Sequence, residues 1–175
     1  MRRFGFTMME LIIVIVVGGI LAAVMIPRLE RDPTREAANQ IVRHIQYTQH
    51  LAMVDDVYET TTGEWYKKRW AIKFNEFGYS VASQAGTLVA IDPGSQSPID
   101  LANAGSMADF GVSIKLSGGC STLLAFDNLG KPHKSLSAVN DEVTSTCTIK
   151  VSGDKTAVIT VQPQTGYAHL DSVGK

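Results

Sequence analysis

From Leu11 to Ile26 the chain has no charged residue and no polar stripe, and this run limits what residues 1–30 can become. A helix that is apolar on every side has to be surrounded by protein or by lipid. Three fates fit such a run: a cleaved secretory signal, a buried core helix, or a membrane anchor. A secretory signal needs a small-residue cleavage site just past the apolar core. Ala22-Ala23 is a faint candidate, and the run continues beyond it to Pro27. A buried soluble helix would normally show a polar stripe. Counting from Phe6 to Ile26 gives 21 residues, about 31 Å of helix, close to the hydrocarbon thickness of a bilayer. The sequence therefore predicts a membrane anchor over residues 6–27. Arg2 and Arg3 place the N-terminus in the cytoplasm by the positive-inside rule. Arg28 and Arg31 weaken that asymmetry, with Glu30 and Asp32 interleaved among them.

One residue offends against the run. Glu10 opens it with a carboxylate, which costs roughly 2.5–3.5 kcal/mol at the centre of a membrane helix and less near its edge. Residues 28–175 would then form the exported part, holding 14 basic and 16 acidic residues for a formal charge of −2. That balance offers no bulk attraction to nucleic acid or to anionic lipid. The two cysteines, Cys120 and Cys147, are far from any CxxC pattern; in an exported domain they most simply form one disulfide. The loop so closed has about 26 residues and is worth about 3 kcal/mol in the chain-entropy model.

Beyond the run, Asp32-Pro33 reads as an N-cap followed by proline at the first helical position. Ala38, Ile41, Ile45, Thr48 and Ala52 then recur at three- and four-residue spacing, which predicts an amphipathic helix from Pro33 to Val54 with Arg35, Gln46 and Gln49 toward water. With Pro27 ending or kinking the first half, the two halves would make one long, kinked spine. From Trp65 the period becomes two. Trp70, Ile72 and Phe74 share a face opposite Arg69, Ala71 and Lys73, and 75–78 is a turn into Tyr79-Ser80-Val81. Residues 92–109 read as a long irregular connection. Strands follow at 112–116 and 122–126, a hairpin pairs 146–151 with 156–161, and 166–170 makes a short last strand. The fold class is α+β: a long N-terminal helix, transmembrane then amphipathic, packed on an antiparallel β-sheet domain.

The first residues resemble a known family. Gly5-Phe6-Thr7-Met8-Met9-Glu10-Leu11, after a short basic leader and before the apolar run and Pro27, looks like the class III signal of type IV pilins and type II secretion pseudopilins. The resemblance implies a leader at 1–5, cleavage between Gly5 and Phe6 by a prepilin peptidase, and N-methylation of the new Phe6 amine. It divides the chain into the leader, an assembly helix at 6–27, an amphipathic helix at 28–56 and an exported β-rich domain at 57–175. It also gives Glu10 a purpose: the carboxylate would pair with the Phe6 amine of a neighbouring subunit, fixing register where a broken pair costs about 3–5 kcal/mol. The implied partners are other pilin or pseudopilin subunits, the prepilin peptidase and an inner-membrane assembly platform. The implied location is the inner membrane, single-pass, with the C-terminal domain periplasmic, and the filament after assembly.

A looser match, Phe126-Asp127-Asn128-Leu129-Gly130-Lys131-Pro132 with Val161-x4-Gly166-Tyr167, is similar to H-type minor pseudopilins and their pilus relatives. Some of those relatives bind DNA through arginines after the terminal glycine; Tyr167, Ala168 and His169 stand there here. The implied function is a minor pseudopilin of a type II secretion pseudopilus. Two alternatives remain open: a major or minor subunit of a type IV pilus, or a membrane-anchored periplasmic binding domain that never polymerises.

Catalytic signals are thin. His44, His50, His133 and His169 show no ligand spacing, and His44 and His50 read as solvated helix histidines. Gly153-Asp154-Lys155-Thr156 lacks the rest of a phosphate loop. Asp55-Asp56 lacks a third oxygen donor for calcium and reads as a solvated helix end. Trp65-Tyr66-Lys67-Lys68-Arg69-Trp70 is the one basic–aromatic cluster with a nucleic-acid flavour, and a strand with an exposed basic face explains it as well. No enzyme activity, cofactor, metal or nucleic-acid partner is expected.

Overall fold

The computed structural model describes residues 7–25, 32–55, 63–83, 87–102 and 107–174. The chain divides into two units, Met1–Asp32 and Pro33–Lys175, and each is described by itself.

The first unit holds helix α1, Met8–Met25. Its start is fixed by Thr7, whose hydroxyl and carbonyl oxygens accept from the Glu10 N–H at 3.3 Å and 3.1 Å. This satisfies a donor that every helix start leaves open. Leu11, Ile12, Val14, Ile15, Ile20 and Val24, which together point around the whole helix, are all exposed. The span expected at 6–27 lies only in part within the described residues. Among the described residues, no helix is long and apolar enough to cross a membrane. The 18 residues of α1 measure about 27 Å; Phe6, Ile26 and Pro27 lie outside the described residues, as does the expected kink.

The second unit is built on helix α2, Pro33–Val54. Its buried face comprises Thr34, Ala37, Ala38, Ile41, His44, Ile45, Thr48 and Ala52, the three- and four-residue spacing of one helical stripe. Among the described residues a short 3-10 turn at Trp65–Lys68 is followed by nine strands: β1 Trp70–Asn75, β2 Gly78–Ser83, β3 Leu88–Val89, β4 Ser113–Gly118, β5 Leu123–Phe126, β6 Pro132–His133, β7 Cys147–Ser152, β8 Thr156–Val161 and β9 Ala168–Gly174. They form two antiparallel sheets, ordered β3-β2-β1-β5-β6 and β4-β7-β8-β9. The α+β arrangement is thus pilin-like: an N-terminal helix, then a second helix packed on antiparallel sheets.

Each hairpin follows its local chemistry. Asn75 faces Gly78 across Glu76-Phe77 in the first, and Ser152 faces Thr156 across Gly153–Lys155 in the second. Alternate residues of β7 and β8, namely Ile149, Val151, Ala157, Ile159 and Val161, turn inward. α2 packs on β1 and β5 of one sheet and on β7, β8 and β9 of the other, so one helix face closes both. Cys120 and Cys147 are joined by a disulfide, with Cα atoms 5.0 Å apart, beside the β4–β7 pair.

Three expected placements change. Arg69 does not lie on an exposed basic face; it is 1% exposed. His44 is not a solvated helix histidine but a core residue, while His50 is exposed. Gln46 and Gln49 do not simply face water: each donates to backbone carbonyls of the β region.

Candidate functional site

The processing pair Gly5 and Phe6 lies outside the described residues. Glu10 lies within them, in the first turn of α1, exposed, and the one charged residue of that helix. Thr7-Met8-Met9-Glu10 has the spacing of a capping box, a signal present in the sequence but passed over there. A carboxylate in a first turn also faces the positive end of the helix dipole, which stabilises it by about 0.3–1 kcal/mol. The local fold therefore tolerates Glu10 at that place without a partner. What the isolated helix does not satisfy is its apolar surface, which has no covered side among the described residues.

The two looser motifs meet in space. The β5–β6 turn carries Gly130 at φ 78° and the β8–β9 turn carries Gly166 at φ 66°. A Cβ on Gly166 would stand 2.5 Å from the Gly130 carbonyl oxygen and 2.8 Å from the Gln49 amide nitrogen. The Gln49 amide donates to Gly130 O at 2.9 Å and to Thr165 O at 2.6 Å, tying both turns to α2. Gln46 adds a bond to Ala168 O at 3.1 Å. Asp127 shapes the first turn by accepting from the N–H groups of Leu129 at 2.9 Å and Lys131 at 2.8 Å. Leu129 and Tyr167, each next to one of these glycines, are exposed, and the Tyr167 ring stacks on His169. The sequence singles out both turns but puts Gln49 toward water, because nothing local marks a glutamine whose partners are 81 and 116 residues away.

A buried charge cluster explains Arg69. Its guanidinium lies 4.7 Å from the Trp65 ring, meets Asp141 at 3.4 Å, and donates to Ala138 O at 3.3 Å and Val139 O at 3.1 Å. Burial pulls its pKa down, and Asp141 opposes that. His133, 2% exposed, presents Nδ1 to Asp141 at 3.0 Å and Nε2 to Asp127 at 3.4 Å. Burial pushes the Asp127 carboxyl up; the bonds from His133 and from the Lys131 and Leu129 N–H groups outweigh it and leave the group below the usual carboxylate range. Ser135 donates to Asp141 rather than to His133, so no imidazole activates its hydroxyl. This is a bracing network for the 134–142 loop, and it takes Arg69 out of solvent while keeping it over Trp65 of the basic–aromatic cluster read in the sequence.

The Asp55 carboxylate, at the end of α2, accepts from the Trp70 indole at 2.9 Å; Asp56 lies outside the described residues. Among the described residues, no group of three or more His, Cys, Asp or Glu side chains is placed to hold a metal ion.

No curated protein matches the chain, and no solved structure does. Residues 1–26 match the family model of the prokaryotic N-terminal methylation motif, the class III signal typical of type IV pilins and pseudopilins.

Proposed function

We propose that the chain is a non-enzymatic structural subunit of a pilin-like filament, a minor pseudopilin of a type II secretion pseudopilus. One observation carries this reading: α1, inside the matched motif, exposes apolar side chains on every side and holds a single carboxylate in its capped first turn. A helix of that kind is stable only when lipid or neighbouring helices surround it. Before assembly it would sit in the inner membrane, with the β-rich domain in the periplasm. A prepilin peptidase would cut between Gly5 and Phe6, and the Phe6 amine would be methylated. In the filament Glu10 would pair with the Phe6 amine of the next subunit, two opposite charges that offset each other's desolvation in an apolar bundle. Other pseudopilins and the inner-membrane assembly platform are the partners.

Mass spectrometry of the membrane-extracted protein is expected to give a chain beginning at methylated Phe6. An intact Met1, or a cut after Ala23, would overturn the processing. Glu10→Ala is expected to leave membrane insertion intact and to abolish incorporation into filaments; normal incorporation would remove the role given to Glu10. The secretion assignment leans on the converging turns around Gly130 and Gly166, and pilus subunits share that pattern. Deleting the gene separates the two: lost export of secreted proteins with intact surface pili supports the pseudopilin, and lost pili with normal secretion supports a pilus subunit.

A further inference from the structure

A hollow of about 470 Å3 opens beside α2, its lining including Gln40, Arg43, His44, Tyr47 and Asp92, and a second of about 320 Å3 shares Gln40, His44 and Asp92 with it. The larger volume is within the roughly 300–1,000 Å3 range of small-ligand clefts. Its floor is a chain of polar groups with a fixed direction. Tyr79, fully buried, has the His44 imidazole as its hydroxyl's hydrogen-bond partner, with 2.6 Å between Oη and Nδ1. Burial raises the Tyr79 pKa far above the usual phenol range, so the hydroxyl keeps its proton; among the described residues the imidazole is the partner of that buried hydroxyl, and its proton is satisfied by donating to Nδ1. Burial lowers the His44 pKa, so the ring is neutral and carries its one proton on Nε2. His44 is 8% exposed, and this Nε2–H points across the hollow to Asp92 Oδ1 at 4.0 Å.

That gap is too long for a direct hydrogen bond. Two hydrogen bonds of about 2.8 Å meeting at one sp3 oxygen at ~90–110° span about 4.0–4.6 Å. The bridging group has to accept from His44 and donate to Asp92. Asp92 is ionised at neutral pH: bonds from Ser95 and the Gly94 N–H hold its carboxyl below the usual range. A metal cation would meet an N–H instead of a lone pair, and an anion could not donate to the carboxylate. A hydroxyl does both. The rim extends the same chemistry, with the Gln40 amide, the Arg43 guanidinium and the Tyr47 ring, whose hydroxyl is anchored on Ile91 O at 3.0 Å.

We propose that this hollow is a binding site for a polyhydroxylated ligand, a saccharide, one hydroxyl of which bridges His44 and Asp92.

The test uses the full chain in micelles of a detergent without a sugar headgroup, with saturation-transfer NMR against glucose, galactose, mannose and N-acetylglucosamine. Binding of at least one sugar is expected, weakened by roughly tenfold or more in Asp92→Asn and in Arg43→Ala, the loss of one hydrogen bond to a charged group. Both changes are at the surface. The amide introduced by Asp92→Asn retains an oxygen for the turn, so these variants stay informative even where His44→Gln unfolds the domain. Failure of all four sugars to bind, leaving water as the only bridge, would overturn the proposal. So would binding unchanged in both variants, which would put the ligand elsewhere.

Discussion

Among the described residues, two α-helices of similar length solve opposite problems. α2 has one apolar face, and that face is covered by two sheets of its own chain. α1 is apolar all round, and its side chains remain exposed. Burying apolar area stabilises at roughly 25 cal/mol per Å2 wherever the cover comes from. For α2 that stabilisation is internal and belongs to the fold. For α1 no cover comes from the described residues; in the proposed function lipid or other subunits supply it, and the stabilisation would belong to assembly. Substitutions in the two helices should therefore be read by different instruments.

The largest effect is expected at the centre of α2. Ile45 is fully buried between helix and sheets, and Ile45→Ala removes most of that side chain and leaves a cavity. A loss of about 2–5 kcal/mol in unfolding free energy is expected from denaturant titration. The matching change in α1, Val14→Ala, is expected to leave that titration within about 0.5 kcal/mol and to lower filament incorporation instead. Equal losses in the two titrations would break the distinction between a fold helix and an assembly helix.

The next effect tests the place where α2 ties both sheets. Gly166→Ala puts a methyl into a left-handed backbone at φ 66° and against the Gly130 carbonyl. Strain of that kind costs of order 1–3 kcal/mol, and Gln49→Ala is expected to lose less, about 1–2 kcal/mol for two backbone carbonyls left without their donor. If Gln49→Ala proves neutral by thermal melting, the two turns are held by their own backbone bonds and the clasp is incidental. The contrast also shows what a sequence conceals. The bounds of α2 were legible because an Asp-Pro start and a single apolar stripe are local signals. So were the hairpins at 75–78 and 152–156 and the irregular stretch after 92. Two sheets instead of one were not legible, since β3 and β6 are two residues each. Nor was the burial of Arg69 and His44, whose partners Asp141 and Tyr79 lie 72 and 35 residues away. The residue proposed for assembly stood out in the sequence for the opposite reason. Glu10 in an apolar run conflicts with its surroundings, and the conflict is written within a few residues.

A smaller, pH-dependent effect starts at the α2 face. Burial lowers the pKa of His44 below its ordinary 6.5 in the folded domain. A depressed pKa means the unfolded chain takes up the proton more readily. The stability that neutral His44 contributes is therefore complete above about pH 6.5 and lost as pH falls through the lowered folded value. Asp127 and Asp92 are also depressed, from 3.8, and add a second loss in stronger acid. Melting temperature is expected to fall in two stages on acidification, and His44→Gln should remove the first. A single stage in the wild-type protein near the carboxylate range would show that His44 does not titrate with unfolding.

The smallest effect is expected at the start of α1, where it separates the two roles open to Glu10. Thr7→Ala removes the hydroxyl that accepts from the Glu10 N–H, a change worth about 0.5–2 kcal/mol of local helix stability. Amide exchange in micelles should quicken over the first turn, Met8 to Leu11, with melting of the β-rich domain unchanged. If Glu10 acts mainly by closing the first turn, Thr7→Ala and Glu10→Ala should reduce filament incorporation alike, because each frays the same turn. If it acts by pairing with an amine on a neighbour, Thr7→Ala should keep most incorporation while Glu10→Ala keeps almost none. Glu10→Gln sharpens the comparison further, since an amide can still hydrogen-bond within a capping box but carries no charge. Incorporation lost in Glu10→Gln and retained in Thr7→Ala would assign the carboxylate to assembly. The reverse pattern would return it to the helix that carries it.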